Sequence, residues 1–353
     1  MRFVPAGRRC VFTGPNGSGK TNLLEAVSLL VPGRGLRGAR FAELARLGED
    51  ASGAWAVAAR FAGAQDSFEI GTGTAEGAPE RRVFQLDGAA PRAQAEIAQR
   101  LAAVWLTPQM DRLFTDPAAA RRKFLDRLVV ALEPSHAREV AAYEAAAAQR
   151  NRLLAENPDP VWLAGLEDSC ARHAVAATAS RLALINQLNA VLGTGIADPF
   201  PRVALALDCP IATRLRNAPA LSVEEALRQA YAASRPRDAQ MRGSVIGLQH
   251  SDLVLQDAAS ARPASLSSTG QQKAMLIGVI LGHAALIRSA RGTPPLLLLD
   301  EPLVHLDAAR RDALFAALEG LGLTAWLTGT DPEPFASLGA ACYALRQGRI
   351  ETL

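Results

Sequence analysis

Eight consecutive residues near the start of the chain, Gly14-Pro15-Asn16-Gly17-Ser18-Gly19-Lys20-Thr21, satisfy the phosphate-loop pattern in full. The glycines let backbone N–H groups turn inward around a phosphate, and a helix starting near Thr21 aims its positive end at the same point. Lys20 then reaches the β and γ phosphates, and the Thr21 hydroxyl is a magnesium ligand. Far along the chain, Asp300 and Glu301 end the apolar run 296–299. In a phosphate-loop enzyme the first carboxylate holds magnesium and the second orients or deprotonates the attacking water. Ser268, Gly270 and Gln271 precede the apolar stretch 274–287, and small residues with a glycine at a helix N-terminus form a second anion-binding end. Taken alone, an apolar run ending in Asp-Glu fits a helix cap equally well, and the Ser-Gly segment fits an ordinary N-cap. Two phosphate-binding ends in one chain suggest that each serves a different nucleotide in a head-to-tail homodimer. A nucleotide with β and γ phosphates and Mg2+ are the expected ligands.

Several elements must position these groups. Residues 10–13 form a short apolar run before the loop, and Leu23, Leu24, Val27, Leu30 and Val31 after it have helical spacing, which reads as strand, glycine loop, helix. Between about 38 and 105, segments such as 55–61, 67–70 and 82–87, broken by Gly71-Thr72-Gly73 and Asp87-Gly88 turns, predict antiparallel strands with hairpins. From Pro117 to Gly193 the chain is alanine-rich and helical. A first helix carries Phe124, Leu125, Leu128, Val129 and Leu132 on one face and stops near Pro134; a second covers roughly 135–156 and a third runs from Pro160 to Gly193. A strand is expected at 203–208, and Ser222-Val-Glu-Glu225 is a capping box that opens a helix to about Ser234. Leu296–Leu299, apolar on both faces, suits a central parallel strand, and 324–328 is another candidate. The expected organisation is one α/β domain in two halves, 1–115 and 245–353, with a mainly helical lobe, 116–244, inserted between them.

The 353 residues provide for about two domains. The stretch 274–287 is too short to span a bilayer, and the first ten residues hold no apolar export segment, so a cytosolic protein without a membrane partner is expected. Cys10, Cys170, Cys209 and Cys342 stand far apart, which fits reduced thiols and neither a zinc knuckle nor a disulfide framework. A net charge of +3 is too small by itself to imply a polyanionic partner. The basic residues are lopsided, however: of 38 Lys and Arg, only Lys20, Lys123 and Lys273 are lysine. A lysine that persists where arginine serves everywhere else marks a place for a compact ammonium.

Gly-x-Asn-Gly-x-Gly-Lys-Thr at 14–21, Ser-x-Gly-Gln at 268–271, and the strand ending Asp300-Glu301-Pro302 with His305-Leu306-Asp307 beyond it resemble the Walker A, signature, Walker B and D-loop motifs of ABC-type ATPases. The chain is more closely similar to the RecF family of bacterial recombination and repair ATPases. Gly17-Ser-Gly-Lys-Thr-Asn-Leu-Leu-Glu-Ala26 with Gly33-Arg-Gly-Leu-Arg37 resembles that family's opening. Leu106-Thr-Pro-Gln109 with Arg121-Arg-Lys-Phe-Leu-Asp126 resembles its middle motif, and Gly247-Leu-Gln-His-Ser-Asp-Leu253 with Leu306-Asp-Ala-Ala-Arg-Arg-Asp-Ala-Leu-Phe315 its C-terminal part.

The resemblance implies an ABC/SMC-type ATPase head, with a mixed sheet, an antiparallel β subdomain and a helical lobe. It implies a weak, slow ATPase whose ATP-driven dimer binds DNA at single-strand gaps and single-strand/duplex junctions. Such a protein works with RecR and RecO, and indirectly RecA, in replication, gap repair and the SOS response. It implies that Gly14 to Thr21 hold ATP and magnesium, that Asp300 completes the metal site and that Glu301 activates water. Ser268, Gly270 and Gln271 would contact the partner's nucleotide, Asp307 would lie near the dimer seam, and Gln109 would meet magnesium. Two departures stand out. Family members carry a further strand and an aromatic or arginine-containing loop ahead of the phosphate loop, where 13 residues precede Gly14, so an incomplete sheet edge is expected. No histidine follows His305, so the switch histidine of transporter ATPases is absent from Thr328-Gly-Thr-Asp331.

Candidates for the DNA surface are Arg34, Arg37 and Arg40, and Arg121, Arg122, Lys123 and Arg127 on the inserted helix, since clustered cations neutralise phosphates. A solvated helical face, or pairing with Asp126, explains the second group equally well. Other readings are an ABC-type subunit of another system, disfavoured by the long gap between Lys20 and Ser268, and a nucleotide-binding structural protein without hydrolysis. An SMC-like protein would need long heptad arms, and the inserted lobe is short and broken by prolines.

Overall fold

The computed structural model describes residues 1–45, 53–62, 67–75, 77–156 and 159–353. In chain order the first elements are β1 (Arg9–Thr13), α1 (Lys20–Ser28), β2 (Ala56–Ala62), β3 (Ser67–Ala75), β4 (Ala78–Leu86), α2 (Gln94–Arg100) and β5 (Ala103–Leu106). Next come α3 (Ala118–Leu132), α4 (His136–Glu156), α5 (Pro160–Gly193), β6 (Val203–Asp208), α6 (Pro210–Leu215), α7 (Ala220–Met241) and β7 (Asp252–Asp257). The chain closes with α8 (Thr269–Arg291), β8 (Leu296–Leu299), α9 (Ala308–Gly320), β9 (Thr324–Gly329), β10 (Ala341–Arg346) and β11 (Arg349–Thr352). Two compact units result, one of residues 1–111, 197–200 and 280–353, the other of 112–196 and 201–279. The first break lies close to the expected 115, but the second falls inside α8 and not at 245. β7 explains the difference, because it pairs antiparallel along its whole length with β6 and so belongs with the helical unit.

The first unit is built on a six-stranded sheet in the order β11-β10-β1-β9-β8-β5, parallel except for β11. All four leucines of β8 are buried, with Ala103–Leu106 in register on one side and 324–327 on the other, as a central strand requires. Phe12 of β1 packs against Trp326 of β9 and Tyr343 of β10, with ring centroids 5.0 and 5.5 Å away. Each such buried ring contributes about 2 kcal/mol, which fixes β1 where the chain enters the phosphate loop.

β2, β3 and β4 form a separate antiparallel sheet. Gly71-Thr72-Gly73 runs inside β3 and does not turn, contrary to expectation. A Cβ on Gly73 would stand 2.6 Å from the Trp55 carbonyl oxygen, so the glycine serves a close backbone approach. Asp87-Gly88 is a turn as read: φ is positive at both residues, and Leu86 and Ala89 exchange backbone hydrogen bonds.

In the second unit the prolines punctuate the helices. Pro117 precedes α3, which ends two residues before Pro134, and Pro160 opens α5 behind an Asp159 side chain that accepts from Val161 and Trp162 N–H. α7 departs from expectation. It starts at Ala220 behind Pro219, whose carbonyl accepts Ser222 N–H, so Ser222 lies in the first turn and is not the N-cap. The helix then continues through Pro236 to Met241, with Asp238 buried beyond the proline and bonded by Arg150 and the Val245 amide. α8 is long and apolar enough by composition to cross a membrane, which the shorter stretch 274–287 did not suggest. Most of it is buried inside the protein, the condition of a core helix. Of the four cysteines, all free, Cys10, Cys170 and Cys209 are buried, and burial pushes Cys10 and Cys170 up to about 11.

Candidate nucleotide site

β1 delivers the chain to Gly14 beside the ends of β9 and β10. Gly14 sits at φ 153°, and its N–H donates to Thr330 O at 3.2 Å. A Cβ there would stand 2.4 Å from the Leu345 carbonyl oxygen, so backbone packing admits only glycine. Gly19 is left-handed at φ 100° and opens α1 without a side-chain cap. The amides of the first turn are therefore left without a capping side chain, as an anion-binding helix end requires. Lys20 is 5% exposed, and its Nζ donates to Gly14 O at 2.7 Å and Pro15 O at 3.1 Å, so the ammonium sits within its own loop. The buried Ser18 hydroxyl has no partner among the described residues.

β8 and its neighbours bring the carboxylates to the same edge of the sheet. Asp300 is 2% exposed, and its N–H donates to Leu106 O at 2.9 Å. Thr328 Oγ1, at the end of β9, donates to Asp300 Oδ1 at 2.7 Å and accepts Glu301 N–H at 2.9 Å. Glu301 adopts φ 49°, unusual for a residue with a side chain. Gln109 lies exposed in a 3-10 turn, Pro108–Arg112, just beyond β5, whose Leu106 is in register with Leu299. The Asp300 carboxylate and Thr21 hydroxyl are hard oxygen donors of the kind magnesium takes when phosphates and water complete its shell. Among the described residues no group of three His, Cys, Asp or Glu forms a cage for a metal, so a phosphate-assisted ion suits the donor set.

Ser268, Gly270 and Gln271 belong to the second unit, where Ser268 is the N-cap of α8. Gln271 N–H donates to Ser268 Oγ at 3.3 Å and Ser268 N–H to Gln271 Oε1 at 3.2 Å, a reciprocal capping box. Both side chains are exposed, whereas Lys273 is buried, at 1% exposed. Asp307 is exposed and caps α9 by accepting Arg310 N–H at 2.8 Å.

Sequence reasoning missed three residues that shape the loop carrying Arg34 and Arg37. Glu25 Oε2 accepts Arg37 N–H and Ser28 Oγ accepts Leu36 N–H, both at 2.8 Å. Arg82 donates to the carbonyls of Leu29, Val31 and Gly33, and its guanidinium lies 4.1 Å from the Phe84 ring centroid. Burial raises the Glu25 carboxyl and lowers Arg82 to about 10. The available signal was Glu25 and Ser28, two polar groups three apart on the inner side of α1. Arg34, Arg37 and Arg40 themselves are exposed.

The inserted-helix cations are placed differently from their reading as a DNA face. Arg121 makes a two-pronged pair with Asp252, both bonds 2.7 Å, and Arg122 donates to Ser251 O. Both fasten α3 to the start of β7. Asp126 is held by Arg181 and His136 and not by the neighbouring arginines, and of this group Lys123 is exposed.

The fold is that of an ABC/SMC-type ATPase head with a helical insertion. The solved "recombination mediator protein RecF-ATPrS in RecFOR pathway" matches with a TM-score of 0.85 at 20% identity, covering 100% of this chain and 93% of that one. An SMC head bound to the C-winged helix domain of ScpA matches with a TM-score of 0.50 at 14% identity, covering 98% and 89%. A family model described as "AAA domain, putative AbiEii toxin, Type IV TA system" matches residues 10–322. DNA replication and repair protein RecF of Mesorhizobium japonicum is 46% identical over 335 residues, 93% of this chain and 87% of that protein. Its counterpart in Rhizobium meliloti is 42% identical over 354 residues, 97% and 92%. The chain carries this AAA-type domain and belongs to the RecF family of DNA replication and repair proteins.

Proposed function

We propose that this chain is an ATP-dependent DNA-binding protein whose ATP-bound head-to-tail dimer closes on gapped or junction DNA and opens on slow hydrolysis. The observation that carries this reading is that the phosphate loop with Lys20 follows the carboxyl end of β1 and that Asp300 and Glu301 follow the carboxyl end of β8, two parallel strands of one sheet joined through β9. Gly14, Pro15, Asn16, Gly17, Ser18 and Gly19 would wrap the phosphates, and Thr21, Asp300 and Gln109 would hold magnesium. Bound magnesium screens the phosphate charge. Lys20 neutralises the β and γ phosphates, and Glu301 orients the attacking water and accepts its proton. Ser268, Gly270 and Gln271 exchange their mutual cap for the nucleotide of a second copy, with Asp307 at the seam. Arg34, Arg37, Arg40 and Lys123 are exposed cations available to DNA phosphates, and RecR, RecO and RecA are the expected pathway partners in the cytosol.

The test is sedimentation of a Glu301→Gln variant with ATP, alongside binding to gapped and blunt duplex. ATP should convert the variant from monomer to dimer and strengthen gapped-duplex binding. Each neutralised phosphate should add about 0.9 to the slope of log affinity against log salt. A variant that stays monomeric with ATP overturns the shared site.

A further inference from the structure

Thr328 belongs neither to the phosphate-loop pattern nor to the Asp-Glu pair, yet its hydroxyl joins the two carboxylate residues. It is fully buried at the end of β9. A hydroxyl has a single proton. Because Oγ1 accepts the Glu301 amide proton, its own proton goes to Asp300 Oδ1, and the two bonds occupy the group in both directions. Asp300 Oδ2 takes no part in this bond. The same amide bond supports Glu301 in its left-handed backbone conformation. Two residues further on, Thr330 O accepts the Gly14 N–H, so the end of β9 is hydrogen-bonded to both phosphate-handling segments. Valine would fill the space of Thr328 and make neither bond, whereas serine would keep both.

We propose that Thr328 is a positioning residue of the ATPase site. Its hydroxyl fixes the rotation of the Asp300 carboxylate, leaving Oδ2 for the cation, and holds the main chain that aims Glu301. This rests on the reading of Asp300 and Glu301 as the magnesium and water-orienting groups. Loss of the hydroxyl frees the carboxylate to rotate and removes an acceptor of the Glu301 amide, so the damage falls on magnesium-dependent steps and not on the fold at large.

The experiment measures the affinity of the full chain for a fluorescent ATP, with magnesium and with EDTA, for wild type, Thr328→Val and Thr328→Ser. Single-turnover hydrolysis and melting temperature are read on the same samples. In Thr328→Val the ratio of affinity with magnesium to affinity in EDTA should fall about tenfold, and hydrolysis by at least as much. Thr328→Ser should recover both. A folded Thr328→Val with the wild-type ratio, or a folded Thr328→Ser as impaired as valine, overturns the positioning role. If valine prevents folding, Thr328→Cys, which keeps only a weaker donor, should fall below both serine and wild type, and a wild-type ratio there overturns the role equally. Absence of any magnesium-dependent nucleotide affinity in wild type overturns the parent site and the role with it. Wild-type dependence that survives Thr328→Val overturns the role alone.

Discussion

At Gly14, an added Cβ meets the Leu345 carbonyl oxygen at 2.4 Å, while at Gly17 it meets nothing within 4 Å, although both have positive φ. The phosphate-loop pattern treats the two glycines alike, but the packing does not. Gly14→Ala should cost about 2–3 kcal/mol, from backbone strain plus displacement of β10, whereas Gly17→Ala should cost about 1 kcal/mol from strain alone. Thermal denaturation of the two variants checks this, and equal losses would contradict it. That Lys20 and Thr21 open a helix after β1 and that Asp300 and Glu301 follow a buried strand was legible, because a local pattern of residue types announces each. Leu345 and Thr328 were not, since each acts through a contact with a residue distant in sequence.

At the scale of elements, α3 to α5 were legible almost to the residue because prolines, which disfavour helix before themselves, stand at their ends. The start of α7 was misread because the Ser222 box competes with Pro219, which supplies both the turn and the carbonyl acceptor. What ties these helices together was invisible in the sequence: charge pairs between segments far apart. Arg150, 1% exposed, bonds Glu167 and Asp238, and Arg181 bonds Asp126. Burial pushes the Asp126 carboxyl up, but hydrogen bonds from His136 and Arg181 outweigh it and hold the group below its ordinary 3.8. Burial likewise opposes Asp238, and Ser234, the Val245 amide and Arg150 bring it down. A carboxyl lowered by folding adds stability that is fully present above its unfolded value and is lost as pH falls through the folded one. The helical unit should therefore keep its stability down to about pH 4 and lose it progressively below. Hydrogen exchange of α3 and α5 between pH 5 and pH 3 measures this, with Asp126→Asn flattening the acid limb. Unchanged protection at pH 3 would contradict it.

Over the whole molecule, an α/β ATPase with a helical insertion was legible because its phosphate loop, apolar central strand and proline-bounded helices are local signals. The return point from the insertion was not, because the antiparallel pairing of β6 with β7 is a long-range event that no local pattern announces. Composition carried more than its net charge suggested. Of the three lysines, Lys20 and Lys273 are 5% and 1% exposed, and Lys123 stands in water on α3. An amine-reactive ester at neutral pH should therefore modify Lys123 and the α-amino group of Met1 and spare the other two, as peptide mass mapping would report. Substantial labelling of Lys273 in the folded chain would contradict its burial. A 353-residue protein with 38 basic residues thus offers one addressable lysine, a site for a fluorophore on the inserted lobe that needs no engineered cysteine.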